Sequence, residues 1–151
     1  KMEPLPENWQ QACAALQACL PAGICAVKIE PAGKDPSEIA SAVYEVRYPV
    51  QMRQDVLRAV QAYNTVPQAL AEKKGKKGKI KQIDLKQYLP ALEVQEKDGA
   101  VFFSVQLPAG NTLTVNPALL LDYLENEAGL PSGAPRILRV ALKTQSNENF
   151  C

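Results

Sequence analysis

The sequence predicts an α+β fold, a βαββαβ sandwich in which two helices cover one face of a four-stranded antiparallel sheet, as in ferredoxin-like domains. Between residues 42 and 143 the expected elements follow the order strand, helix, strand, strand, helix, strand, and Asp98-Gly99 marks a hairpin turn. A further helix and strand, a partial αβ unit, precede them. The predicted organisation is a helix–strand remnant of a preceding ferredoxin-like unit over 1–36, a ferredoxin-like domain over 37–145 and a tail over 146–151.

The leading unit begins with an amphipathic helix. Residues 7–20 set Trp9, Leu16 and other apolar side chains three and four positions apart, and Pro21 ends the run. The stretch "ICAVKIEP" that follows predicts a short strand from its alternation. Residues 31–38, rich in proline, glycine, aspartate and serine, predict a linker.

The main unit opens with a strand and a helix. The stretch "SAVYEVRYP" alternates tyrosine and valine with charged residues, which is typical of a half-buried strand. The stretch "QMRQDVLRAVQAYN" places Met52, Val56, Val60 and Tyr63 on one helical face, and Pro67 is expected to lie at or just beyond the end of that helix.

The remaining elements follow a lysine-rich segment. The stretches "IKQIDL" and "YLPALEVQEK" lead to the hairpin turn and "AVFFSVQLP" follows it, which gives the two central strands of the expected order. In "AVFFSVQLP", Phe102 and Phe103 must point to opposite faces. We expect Phe103 or Phe102 to be core and the other to be available to a ligand or a neighbouring unit. Asn116-Pro117 predicts a helix start and Gly129 its stop, and "RILRVALKT" predicts the final strand.

Composition limits the chemistry that the chain offers. None of the 151 residues is histidine, so triads that need imidazole are excluded within it. The four cysteines, at 13, 19, 25 and 151, include no pair two to four residues apart, and we expect reduced thiols that pack as small, buried or half-buried side chains. With no apolar run long enough for a membrane span and no secretory signal, we expect a cytoplasmic protein.

Six lysines lie between Lys73 and Lys81, in the stretch "KKGKKGKIK", although the formal net charge of the chain is only +1. Such a cluster attracts phosphate. The alternative is a solvated basic loop, since no aromatic residue is interleaved with the lysines to stack on a base. Arg136 and Arg139 either extend this basic surface or guard an edge strand. The carboxylates are scattered, with no pair whose spacing predicts a catalytic site or a metal site.

The stretches "AVYEVRYP", "KKGKKGKIKQIDLKQYLPALEV", "VNPALLLDYL" and "PRILRVALKT" resemble the C-terminal half of the radical-SAM-linked protein family. This bacterial domain of unknown function is found beside or fused to cobalamin-binding radical-SAM proteins. The resemblance covers most of residues 5–143, and its most specific pieces are the lysine–glycine loop leading into Ile83-Asp84-Leu85, the Asn116-Pro117 helix start and Arg139. Family members usually begin with a half that carries histidine motifs, which this sequence lacks.

The resemblance implies an accessory protein that partners a radical-SAM protein and works on RNA or ribosome-related substrates. We expect a non-catalytic binding module with no cofactor, no metal and no catalytic residue of its own. The expected RNA-binding residues are Lys73, Lys74, Lys76, Lys77, Lys79 and Arg139. Two alternatives stay open: an enzyme whose active site is completed by the histidine-containing half, and an adaptor that binds only protein.

Overall fold

The structure is a computed structural model, and it describes residues 8–29, 33–74, 80–133 and 135–150, with only the backbone of Lys74. The chain divides into two compact units, residues 1–35 and residues 36–151. Within the described part of the chain, no helix has both the length and the apolar character that a membrane span requires.

The described part of the first unit contains the helix α1 (Trp9–Cys19), which begins where the Asn8 side chain accepts hydrogen bonds from the backbone N–H groups of Gln10 and Gln11. The predicted strand after it does not form over the described residues 24–29. The Gln17 side chain of α1 forms hydrogen bonds with backbone groups of this segment instead. Its Oε1 accepts from Ala26 N at 2.7 Å, and its Nε2 donates to Ile24 O at 3.2 Å.

The second unit is built on a four-stranded sheet. Its strands and helices are β1 (Ile39–Pro49), α2 (Arg53–Thr65), β2 (Leu70–Lys74), β3 (Ile80–Asp84), β4 (Val94–Lys97), β5 (Ala100–Pro108), α3 (Ala118–Asn126) and β6 (Arg136–Thr144). Among the described residues, short 3₁₀ turns lie at Pro36–Glu38, Val50–Met52 and Leu85–Gln87.

The large sheet has the strand order β4-β5-β1-β6, and every neighbouring pair is antiparallel. Numbered within this sheet alone, that is the order 2-3-1-4, so the predicted α+β fold and its ferredoxin-like arrangement are confirmed. The strands β2 and β3 form a separate two-stranded sheet, inserted between α2 and β4. This insertion is the main departure from the predicted element order.

The core lies between the helices and one face of the sheet. Alternate residues of β1 and β5 supply the sheet side, among them Val46, Tyr48 and Phe103, and α2 and α3 supply Tyr63 and Leu124. Asp98 and Gly99 both have positive φ, 53° and 71°, which confirms the predicted hairpin turn between β4 and β5.

The last helix starts and stops at the residues that the sequence indicated. The Asn116 Oδ1 accepts from the backbone N–H of Ala118 at 2.9 Å, and Pro117 has helical φ and ψ. Gly129 follows the helix with φ of 69°, a conformation in which a side chain would be strained.

Candidate nucleic-acid interface

The lysine-rich segment is part of a β-hairpin. In the antiparallel pairing of β2 with β3, Leu70 lies opposite Asp84, Glu72 opposite Gln82 and Lys73 opposite Lys81. The name lysine hairpin is used below for residues 70–84, of which 75–79 lie outside the described residues. Two residues expected in a loop, Lys73 and Lys74, therefore belong to a strand.

The base of the lysine hairpin is fixed to the body of the unit by backbone hydrogen bonds. The Asp84 Oδ1 accepts from Ala69 N at 3.1 Å and from Lys86 N at 3.0 Å, and Leu85 N donates to Ala69 O at 2.8 Å. Ala71 is buried on the same face of the hairpin as Lys73. Because the base is packed and hydrogen-bonded, the direction of the hairpin is set by the fold.

Lys73 and Lys81 lie side by side on one face of the hairpin, since cross-strand partners project to the same side. The Lys73 ammonium donates to Thr114 O at 2.7 Å, which ties β2 to the loop before α3. Lys81 is exposed, and its side chain makes no hydrogen bond or ion pair with any described residue. Like charges directly opposite each other oppose the pairing of β2 with β3, and an anion at this face relieves the repulsion.

The predicted RNA-binding residues are only partly placed by the structure. Lys73 is half-buried and hydrogen-bonded, the side chain of Lys74 is outside the described part, and so are Lys76, Lys77 and Lys79. Arg139 is exposed on β6, opposite Tyr44 of β1. It belongs to a different sheet from the lysines, and among the described residues no hydrogen bond joins it to the hairpin.

Sequence reasoning missed Lys81 as a contact residue, although the alternation of β3 predicts that it shares a face with Ile83. It also missed an acidic groove on the other side of the hairpin. Glu72 and Gln82 there face α3, and the groove is lined as well by Asp122 and Glu127. Among the described side chains, the hairpin therefore presents Lys73 and Lys81 on one face and Glu72 on the other, beside Asp122 and Glu127, so a polyanion is favoured on the face of Lys73 and Lys81.

The sheet face turned away from the helices carries no open aromatic platform among the described residues. Phe103 is core, whereas Phe102 lies on the opposite face, so the predicted division between the two is confirmed. Phe102 is nevertheless only 9% exposed, and the Arg47 guanidinium lies 5.7 Å from the centre of its ring. Arg47 is also ion-paired with Glu45. A base stacking on Phe102 would have to displace this arginine.

The groups with shifted pKa values are structural. Burial, with a smaller effect of Glu125, raises the pKa of Tyr48 to about 12, and burial beside Asp84 raises the pKa of Tyr63 well above its ordinary value. The Tyr63 hydroxyl donates to Leu89 O at 2.7 Å. The Tyr63 ring packs edge-to-face with that of Tyr123, with 5.8 Å between the ring centroids. Both tyrosines belong to the core of the unit and not to an open cleft.

Cysteines and carboxylates do not gather into a metal site within the described residues. Cys13 is half-buried and its thiol lies 3.5 Å from Ala26 O, as a weak donor. Cys19 and Cys25 are exposed, contrary to the expectation of buried or half-buried thiols. The reason is that no residue of 8–29 is fully buried, so this unit offers them no core of its own.

The fold and the site define an α+β protein with a ferredoxin-like sheet into which a basic hairpin is inserted. Residues 3–117 match the model of a family described as "Uncharacterized protein conserved in bacteria (DUF2344)", and because the match covers most of the 151 residues, the chain belongs to this family. The matched residues include the lysine hairpin and end just before α3. No curated protein and no solved structure matches the chain significantly.

Proposed function

We propose that this chain is a binding module that contacts RNA phosphates through the lysine hairpin. The observation that carries the proposal is the pair Lys73 and Lys81, placed side by side at the base of a segment with six lysines between residues 73 and 81. This arrangement concentrates positive charge at one end of a hairpin whose base is rigid. The formal net charge of the whole chain is only +1, so the residues outside this segment carry a net charge of −5 and have little general affinity for polyanions.

The two faces of the hairpin make the proposed contact directional. RNA approaches on the lysine face, because Glu72, Asp122 and Glu127 repel phosphate on the face beside α3. Lys73 already donates to a backbone carbonyl, so Lys81 and the lysines that lie between β2 and β3 in the sequence provide the phosphate contacts. Arg139 is a separate contact point, and the single variant Arg139→Glu measures its contribution by itself.

The proposed biological setting is a radical-SAM modification system that this chain assists. It rests on the family resemblance of the lysine–glycine loop, the Asn116-Pro117 helix start and the last strand. In that setting the chain delivers or orients RNA and the partner provides the chemistry. Co-purification with a radical-SAM protein that survives high salt supports a direct protein contact, whereas co-purification lost on nuclease treatment supports a link through RNA.

Fluorescence anisotropy with a mixed structured-RNA sample tests the RNA contact. The variant Lys76→Glu/Lys77→Glu changes two lysines that lie between β2 and β3 in the sequence, and the control Lys97→Glu/Arg136→Glu makes the same change of charge at exposed positions on β4 and β6. We expect Lys76→Glu/Lys77→Glu to lose most of the affinity and the control to keep most of it. Equal loss in both variants indicates a dependence on net charge alone and overturns the proposal.

A further inference from the structure

The strand β6 forms one edge of the large sheet, because β1 is its neighbour in the order β4-β5-β1-β6. An edge strand has a row of backbone N–H and C=O groups that are free to pair with another strand. In β6 part of this row is already paired. Thr144 N donates to Glu148 O at 3.0 Å and Phe150 N donates to Leu142 O at 2.8 Å, so the tail folds back along the C-terminal end of the strand.

The other half of β6, residues 136–140, has no such cover from any residue that the structure describes. Its apolar side chains are exposed to an unusual degree for a strand: Ile137 by 41%, Leu138 by 43% and Val140 by 48%. A long apolar edge invites pairing unless charge or a covering segment prevents it. Here the tail covers only the region of Leu142–Thr144, and the exposed half keeps its backbone edge accessible.

Charge on this half of β6 selects the partner. Ile137 and Arg139 lie opposite Val46 and Tyr44 on the helix side of the sheet, while Leu138 lies on the other side with Arg136. Each face of the strand thus offers one arginine beside an apolar side chain, and Val140 adds a third exposed apolar side chain where the register with β1 shifts. A second copy of β6 would bring four arginines to one short seam, which like-charge repulsion opposes.

We propose that residues 136–140 of β6 dock an extended acidic segment of another protein, which adds to the sheet as an antiparallel strand. Its backbone continues the ladder beyond the residues that the tail already pairs. Its glutamate or aspartate side chains meet Arg136 and Arg139, and its apolar side chains cover Ile137 and Leu138. This surface lies beyond the residues matched to the family and on a different sheet from the lysine hairpin, so the inference is independent of the proposed RNA contact.

A labelled synthetic peptide of alternating glutamate and valine provides the probe, with a lysine and valine peptide of equal length as its counterpart. We expect saturable binding of the acidic peptide, a loss of about tenfold or more with Arg136→Glu/Arg139→Glu, and a gain of binding to the lysine peptide by the same variant. The control variant Lys81→Glu/Lys97→Glu makes the same change of charge elsewhere, and it should bind the acidic peptide as well as the unchanged chain does.

A backbone-methylated form of the acidic peptide tests the strand pairing without altering the protein. Methylation removes the N–H donors along one edge, so binding should be lost while the charges remain. The proposal is overturned if the acidic and the lysine peptide bind alike, or if neither binds. It is also overturned if the methylated peptide binds as well as its parent, or if the control variant Lys81→Glu/Lys97→Glu loses binding of the acidic peptide. A concentration-dependent dimer of the unchanged chain in sedimentation, whose affinity changes with Arg136→Glu/Arg139→Glu, also overturns it, since β6 then pairs with itself.

Discussion

In the second unit, two buried tyrosine hydroxyls contribute differently to stability, because one has a hydrogen-bond partner among the described groups and the other has none. Tyr63 donates to Leu89 O, and the Lys86 ammonium lies 4.2 Å from the centre of its ring. Tyr48 is 2% exposed, and among the described groups its hydroxyl has no hydrogen-bond partner. A buried hydroxyl without a partner costs about 1–3 kcal/mol, so the same chemical group stabilises at one position and destabilises at the other.

Removal of the two hydroxyls should therefore act in opposite directions. We expect Tyr48→Phe to raise the free energy of unfolding by about 1 kcal/mol, because it removes an unpaired polar group and keeps the ring. Tyr63→Phe should lower it by about 1–2 kcal/mol, because Leu89 O loses its donor. Urea denaturation at neutral pH measures both. A loss of stability in Tyr48→Phe would show that the hydroxyl has a bound partner such as water.

The raised pKa of Tyr48 also predicts a loss of stability at high pH. Its folded-state pKa of about 12 lies above the unfolded value of 10.0, so between these values the unfolded chain releases a proton that the folded chain retains. Stability therefore falls as pH rises through this window and is fully present below pH 10. In Tyr48→Phe the free energy of unfolding should fall less steeply with pH than in the unchanged chain, as measured by denaturant midpoints at a series of pH values. An identical pH dependence in the two proteins contradicts this prediction.

At the scale of the element, the lysine hairpin shows what the sequence pattern could and could not reveal. The stretch "IKQIDL" predicts β3, because it carries two β-branched isoleucines and because Ile83 and Leu85 are two positions apart. The strand β2 has the sequence "LAEKK", whose two apolar residues are adjacent and which ends in lysines, so nothing local distinguishes it from a loop. It forms a strand because β3 supplies hydrogen bonds and Ala71 reaches the core, which are tertiary effects.

A matched pair of variants separates the structural lysine of the hairpin from the ligand-binding one. Lys73→Met removes the donor to Thr114 O, so we expect the hairpin to lose about 1 kcal/mol, seen as faster amide hydrogen exchange in β2 and β3. Lys81→Met removes like-charge repulsion and should leave that exchange unchanged or slower.

In the RNA-binding measurement we expect Lys81→Met to have the larger effect and Lys73→Met the smaller one. Lys81→Met should reduce the salt dependence of binding by about 0.7 in the logarithmic slope, the value for one phosphate contact on a single strand, and Lys73→Met should change it less. The assignment of roles is contradicted if Lys73→Met leaves exchange unaffected while it weakens RNA binding more than Lys81→Met.

At the scale of the whole molecule, the element order was sufficient to predict the large sheet. Four strands and two helices in that order pack with the helices on one face, and the chain direction then fixes the antiparallel pairing. The order does not specify the inserted hairpin, the cover of Phe102 by Arg47 or the tail along β6. Each of these depends on a contact between residues far apart in sequence, for which the local pattern carries no signal.

The chain as a whole also separates its two proposed surfaces. The lysine hairpin and the exposed half of β6 belong to different sheets of one unit, and both are basic. They differ in what else they offer: the hairpin presents lysines beside a carboxylate-lined groove, whereas β6 presents a strand edge with apolar side chains. The first suits phosphate, which needs charge alone, and the second suits an extended peptide.

The most direct test of RNA binding by the lysine hairpin is the slope of the logarithm of RNA affinity against the logarithm of salt concentration. The unchanged chain should show a steep negative slope, and Lys76→Glu/Lys77→Glu should reduce its magnitude by at least about 1.4, the equivalent of two phosphate contacts. An absence of binding at low salt, or a slope that Lys76→Glu/Lys77→Glu leaves unchanged, would contradict the proposal. Either result would identify the lysine hairpin as a solvated structural element.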